Sequence, residues 1–369
     1  MKKEQLDPNF EALRKNALHN AKVDKEPLEQ KELIDYAKIK EVEQKVRKTY
    51  PQQWTAYNLA KTREKLMAEE LLLELLDNLE EPKSIFKSPF TINEKIFIMF
   101  TYVYSGFSSR RAIAEVEIAK RRGLISKTPH FNSVLNMFKD GRLMRTLLQL
   151  VEISALPLKQ FEDTASIDAT GFSVSNFNRW FNVRTQEDSK KREWMKLNVI
   201  IGNKTNVIIS VVVSEGTSGD SLYLAPLVQN ASRNFELKEI SADKAYLSRN
   251  NLTTIASAGA IPFIPFKSNS RRNPRGCRLW AVMYDFFCDH KEEFLKSYHR
   301  RSNSESAFGM IKKNYRNHIR TKNFTSQTNE LLVKCLCHNL SVLVQESFEL
   351  GLDIDLRECF KSYVAQAEV

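Results

Sequence analysis

The sequence predicts an α/β protein: a mixed five-stranded sheet flanked by helices, behind an all-α N-terminal region. Three observations carry this. Residues 1–88 are charged, glycine-poor and rich in helix formers. From about residue 160, short β-branched runs alternate with amphipathic segments in the order strand, hairpin pair, helix, strand, helix, strand. From about Trp280 the helical pattern takes over.

In chain order, "LAKTREKLMAEELLLELLDNLEEP" reads as one long amphipathic helix stopped by Pro82. Its leucines pack on the rest of this region or form a dimer seam; the heptads are not sustained, which favours packing. In a second helical unit, residues 89–150, Thr91 and Glu94 match a capping box ahead of Ile96, Phe97 and Phe100. The stretch that follows reads as helix, short turn, helix. Gly123 lies near the break, Pro129 opens the second helix, and Arg110, Arg111, Lys120, Arg121 and Arg122 decorate it. A DNA-reading helix-turn-helix and a plain helical bundle both fit.

"TASIDATGFSV" is the first strand, and "WMKLNVIIGNKTNVIISVVVSEG" is a pair around the turn "GNKTN". "SLYLAPLVQNASRN" is helical and "ELKEISADKAY" is a strand ending in polar residues. A short helix closed by Gly259 and the strand "AIPFIPFK" complete the sheet. Strands one to three pair as a meander, and helices return the chain for parallel strands four and five. Residues from about 350 read as a tail.

The 42% hydrophobic, 27% charged composition is that of a globular protein with a sizeable core. The net charge of +11 favours a polyanionic partner. Between Lys267 and Lys322, 14 Lys/Arg stand against 5 Asp/Glu, a net of +9. Five cysteines make no disulfide framework. Cys277, Cys288 and His290 lack the CxxC pair of a zinc site. No apolar run spans a bilayer and the N-terminus lacks a signal-peptide core, so no membrane association and a cytoplasmic location are expected.

Asp168 in "SIDATG" and Asp243 in "SADKAY" sit at strand ends, where ligands of α/β sheets gather. Either alone is an ordinary turn former. The third acid changes that reading. Glu305 stands alone among Arg300, Arg301, Lys312 and Lys313. On a continuous helix, Tyr298, Arg301, Glu305 and Lys312 fall within an arc of roughly 60°. A solvated stripe with an Arg301–Glu305 ion pair is the bland reading. The alternative is a metal-binding carboxylate among cations that grip a DNA backbone.

The pattern Y-x2-R-x3-E-x6-K, carried by Tyr298, Arg301, Glu305 and Lys312, resembles the signature of the IS4-type DDE transposases at all four positions. "SIDATGF" resembles that family's first catalytic block and "SADKAY" its second, with Tyr246 in place. The blocks stand in the family's order. The resemblance implies an RNase H-like catalytic domain over residues 160–345. It also implies a helical, helix-turn-helix-like DNA-binding region at 89–150, beside an N-terminal helical region (1–88) and a C-terminal tail (346–369).

It further implies a DNA transposase that binds terminal inverted repeats and performs metal-dependent cleavage and strand transfer. Asp168, Asp243 and Glu305 would hold two Mg²⁺ ions, with Mn²⁺ able to substitute. Asp168 would bridge the pair. Arg301, Lys312 and Tyr298 would bind DNA phosphates. Its partners would be double-stranded DNA, both transposon ends and target, and a second copy in a synaptic homodimer. A metal-dependent nuclease without strand transfer, and a transposase-derived regulator, are the alternatives. Some relatives carry a large β insertion before the catalytic helix, where a tryptophan stacks on a flipped base. Only about forty residues separate Phe266 from Glu305 here, and Trp280 suits either that role or the core.

Overall fold

The computed structural model describes residues 53–79, 88–174, 194–273 and 275–367. Most of the expected N-terminal region, with Pro82, lies outside them.

Helix α1 (Trp54–Asp77) contains no glycine or proline and buries Ala68, Leu72, Leu75 and Leu76 within the chain. Those leucines pack internally, while Leu59 and Leu66 on its other side are exposed. Helix α2 (Ile92–Tyr104) opens on the expected capping box: the Thr91 hydroxyl accepts from the Glu94 amide at 3.1 Å, and the Glu94 carboxylate accepts from the Thr91 amide at 2.9 Å. Helices α3 (Ser109–Arg121) and α4 (Phe131–Met137) follow, then α5 (Leu143–Ala155). Residues 122–130 separate α3 from α4, a longer link than the three or four residues or so of a tight helix-turn-helix.

The sheet has the order β3-β2-β1-β4-β5. Strands β1 (Thr164–Ser173), β2 (Trp194–Gly202) and β3 (Ile208–Glu215) form the antiparallel meander. Helix α6 (Leu224–Asn234) leads to β4 (Glu239–Ala242), parallel to β1, and α7 (Arg249–Ser257) leads to β5 (Ile261–Phe263), parallel to β4. This is the expected mixed sheet. Gly259 at φ +84° permits the tight return after α7.

Helices α8 (Arg278–Asp289), α9 (Lys291–Tyr298) and α10 (Ser302–Tyr315) lead to α11 (Phe324–Leu350). Helix α11 is the spine, packed against α1, α2, α5, α10 and β3. Several of its buried polar side chains bond neighbouring backbone. Asn339 accepts from the Ile208 amide at 2.9 Å and donates to the Val151 carbonyl at 3.1 Å. Gly351, in the left-handed region at φ +64°, ends the helix.

The C-terminal residues are not a loose tail. Helix α12 (Leu356–Ala367) docks on α1 and α5. Leu356 is fully buried and the Tyr363 hydroxyl bonds Glu152. Leu356, Cys359, Phe360 and Tyr363 recur at helical spacing, which gives the helix an apolar edge to bury.

Candidate active site

The site forms on one face of β1 and β4. Strand alternation puts Ser166, Asp168 and Thr170 on that face of β1. Glu239 and Ser241 lie on the same face of β4, and Asp243 follows the strand's last residue. Ser166 pairs with Ser241 in register, and their buried hydroxyls stand 3.0 Å apart. Ile167 pairs with Ala242, so Asp168 and Asp243 are the next positions outward on adjacent parallel strands. Strands in such a ladder lie about 4.8 Å apart. The backbone therefore brings the two aspartates side by side.

The segment carrying Glu305 lies over this face. It is not one continuous helix, as the wheel assumed. Tyr298 ends α9, a 3₁₀ turn covers His299–Arg301, and α10 begins at Ser302. The turn aims two successive arginines at the sheet. Arg300 donates to Glu239 at 3.1 Å, and Arg301 donates to Asp168 Oδ2 at 2.8 Å. The Ser304 hydroxyl lies 2.8 Å from the same Oδ2, and Lys312 Nζ donates to the Thr170 hydroxyl at 2.6 Å. Asp168 Oδ1 accepts from the Ala169 amide at 2.9 Å.

Asp168 is thus fixed by three donors. Glu305 is held differently: its nearest cation, Arg301, is 3.6 Å away, and its side chain is 69% exposed against 17% for Asp168. The Arg301 guanidinium stands between the two acids, 5.8 Å above the Tyr298 ring. Burial opposes its charge, but Asp168, Tyr298 and Asp243 more than offset this and raise its pKa. Burial lowers the pKa of Lys312. Burial, reinforced by Asp220, Asp168 and Asp243, pushes the Tyr246 phenol far above its ordinary value. Tyr246 is buried at the site's edge and stays a neutral phenol.

Among the described residues, no group of three or more His, Cys, Asp or Glu side chains converges as a metal site. Asp168 and Asp243 occupy neighbouring positions on adjacent strands, and Glu305 lies on the far side of Arg301. The donor chemistry nevertheless fits a hard divalent cation: Asp168 in mid-strand on β1, Asp243 just past the neighbouring β4, and an exposed third carboxylate on the covering helix.

Residues 159–340 match the family model described as Transposase DDE domain. This segment is similar to transposase DDE domains. No curated protein and no solved structure matches the chain. The DDE domain contains Asp168, Asp243 and Glu305, and its mixed sheet with flanking helices is an RNase H-like fold. The family implies transposition-related cleavage of DNA with divalent metal.

Ser304, Thr170, Ser166 and Ser241 were not singled out by the sequence reading. The signal was present. Ser166, Asp168 and Thr170 alternate within a strand that is otherwise small or apolar, the pattern of a polar face under cover. Trp280 is half-buried, edge-on to Phe266 at 5.0 Å, with Arg249 4.7 Å over its ring and its Nε1 donating to the Arg271 carbonyl at 3.0 Å.

Proposed function

We propose that the protein is an IS4-type DNA transposase that binds terminal inverted repeats, cleaves DNA at Asp168, Asp243 and Glu305, and joins the freed end to a target. The observation that carries this reading is the placement of Asp168 and Asp243 one residue beyond the last β1–β4 pair, Ile167 with Ala242, beneath the segment that bears Glu305. The three acids lie far apart in sequence, and a surface ion pair explains neither the buried serine floor nor the donors on Asp168.

In the first step a water oxygen attacks the scissile phosphorus. The bond from phosphorus to the 3′ oxygen breaks, and that oxygen takes a proton and becomes a hydroxyl. In the second, this 3′ hydroxyl attacks a target phosphodiester and displaces another 3′ oxygen. When bound by the three carboxylates, two Mg²⁺ or Mn²⁺ ions supply activation of the attacking oxygen and charge relief on the leaving one. Arg301 and Lys312 hold phosphate oxygens, and Tyr298 donates to another. Tyr246, kept protonated, is no base. Residues 1–150 read the repeat, two copies pair the ends in a synaptic homodimer, and the protein acts in the cytoplasm.

The test uses labelled duplexes copied from the DNA flanking the gene, a supercoiled target plasmid and Mg²⁺. Joined products are expected. Cutting without joining identifies a nuclease, and binding without either identifies a regulator.

A further inference from the structure

A second feature lies away from the carboxylates. A cleft of about 540 Å³ opens between α4 with its following turn and the loop that enters α11. Lys139 stands on one lip, and Arg320 and Lys322 on the other; all three are exposed. Among the described residues, no acidic side chain lines it. The nearby Asp140 is already engaged by Lys95 at 3.2 Å and Arg142 at 2.7 Å.

Both lips are held by buried side chains of α11. The Glu330 carboxylate accepts from the Arg320 amide at 3.1 Å and the Thr321 amide at 3.0 Å, and Gln327 donates to the Lys322 carbonyl at 3.1 Å. Asn329 donates across to the carbonyls of Phe138 at 2.9 Å and Asp140 at 3.1 Å. Glu330 and Asn329 are fully buried. The spacing of the two lips is therefore built in.

Two hydroxyls in the lining have no partner in the fold. Thr321 is 5% exposed and Ser326 is 2% exposed, and neither Oγ makes a hydrogen bond. A buried hydroxyl without a partner costs stability unless a ligand accepts its proton. Lys139 and Lys322 on rigid lips, two unpartnered hydroxyls and the positive end of a 27-residue helix suit an anion with several oxygens; the Arg320 guanidinium, which donates to the Phe107 carbonyl at 2.8 Å, adds charge beside them.

The loop that leads into the cleft runs beside the end of the active-site strand. Ser173 at the end of β1 bridges in parallel to His318, and the Ile319 amide donates to the Ser173 carbonyl at 2.9 Å. Five strand steps from Asp168 to Ser173 span about 17 Å, and the cleft begins a few residues further on. That is roughly five to eight base pairs of duplex. Lys312 stands along the way on Thr170.

We propose that this cleft is a second phosphodiester-binding site, which grips the DNA backbone roughly five to eight base pairs from the phosphate at Asp168. It rests on the reading of the carboxylate site as DNA-cleaving. Its purpose is leverage: a backbone held at a second, rigid point fixes the angle at which the scissile phosphate meets the carboxylates.

The experiment compares full-length wild type, Lys139→Gln with Lys322→Gln, and Thr321→Val. Gel-shift affinity for a 30-base-pair duplex is measured across salt, alongside melting temperature and Mg²⁺-dependent nicking. The double variant should lose about 1.8 from the slope of log affinity against log salt, about 0.9 per phosphate contact. Its nicking rate at saturating duplex should also fall several-fold, because the scissile phosphate loses its second anchor. Thr321→Val should weaken binding several-fold while its melting temperature holds or rises, since valine removes an unsatisfied hydroxyl. An unchanged slope in a folded double variant overturns the proposal while leaving the nicking reading intact. An unchanged slope, with inorganic phosphate stabilising wild type but not the double variant, makes the cleft a small-anion site and also overturns it. A lost slope with no nicking by wild type upholds the cleft and overturns the catalytic reading alone.

Discussion

Two halves of the site are built to different standards. The strand half is rigid. Asp168 lies in the middle of the sheet, receives the Ala169 amide, Arg301 and Ser304, and rests above a buried serine pair. The helix half is loose. Glu305 projects from the first turn of α10, largely in solvent, with only the Arg301 guanidinium within ion-pair range among the described residues. Rigid elements hold a group where chemistry needs it before anything binds. An exposed glutamate on a helix can instead complete its geometry when cation and DNA arrive. The lesson is that preorganisation here is concentrated on one carboxylate, and the others are brought to it.

The largest effect should come from the rigid half. Asp168→Asn removes charge from the best-held carboxylate and weakens its bond to Arg301. Cleavage should fall about 10³-fold or more, a loss of several kcal/mol of transition-state stabilisation, and the melting temperature should fall with it. Glu305→Gln should cost cleavage nearly as much but leave the melting temperature almost unmoved, because an exposed side chain contributes little to stability. Equal melting shifts in the two variants would erase the distinction between the halves.

Ser304→Ala sharpens it further. The hydroxyl orients Asp168 without itself being a ligand, so the expected loss is about 10–100-fold, appearing as a higher Mg²⁺ requirement. A drop in maximal rate with no change in Mg²⁺ requirement would make Ser304 merely structural. Arg301→Ala should lower both end-complex affinity and rate, since it removes a phosphate donor and leaves every carboxylate in place.

The smallest effect on activity should come from the scaffold. Burial, with Glu349 and Glu162 nearby, pushes the Glu346 carboxyl up to about 8 from an ordinary 4.5. Between those values the folded chain keeps a proton that the unfolded chain has released, so stability declines as pH rises through that window. Burial pushes His338 down to about 4 from 6.5, so its contribution declines as pH falls from 6.5 toward 4. Glu346→Gln should flatten the decline of melting temperature between pH 5 and about 8 and leave nicking unchanged.

Most of the sheet was legible because each strand is a short apolar run bounded by turn residues, and because the order of strands and helices leaves few topologies. Asp243 was legible as a strand-end acid and Glu305 by its isolation among cations, whereas Asp168 was expected at a strand end and lies in the middle of β1, which runs on to Ser173. What the sequence hid was contact across long separations. Nothing local in "HRRSNSE" says that a 3₁₀ turn breaks the helix and sends Arg300 to Glu239 and Arg301 to Asp168. The pinning of the cleft's lips by Gln327, Asn329 and Glu330 was equally hidden, since polar residues inside a helix pattern read as a solvated face. Helix α12 was missed for a different reason: its apolar spacing is regular, but a short polar C-terminal stretch carries little weight against the expectation of fraying.

The central claim is that Asp168, Asp243 and Glu305 act together on one phosphodiester. The most direct measurement is Mg²⁺-dependent nicking of one labelled duplex by wild type and by Asp168→Asn, Asp243→Asn and Glu305→Gln, each at a DNA concentration that saturates its gel shift. The account predicts that every variant still binds the duplex and that each loses cleavage by at least about 100-fold. Near-wild-type nicking by any one of the three, with binding intact, would contradict it.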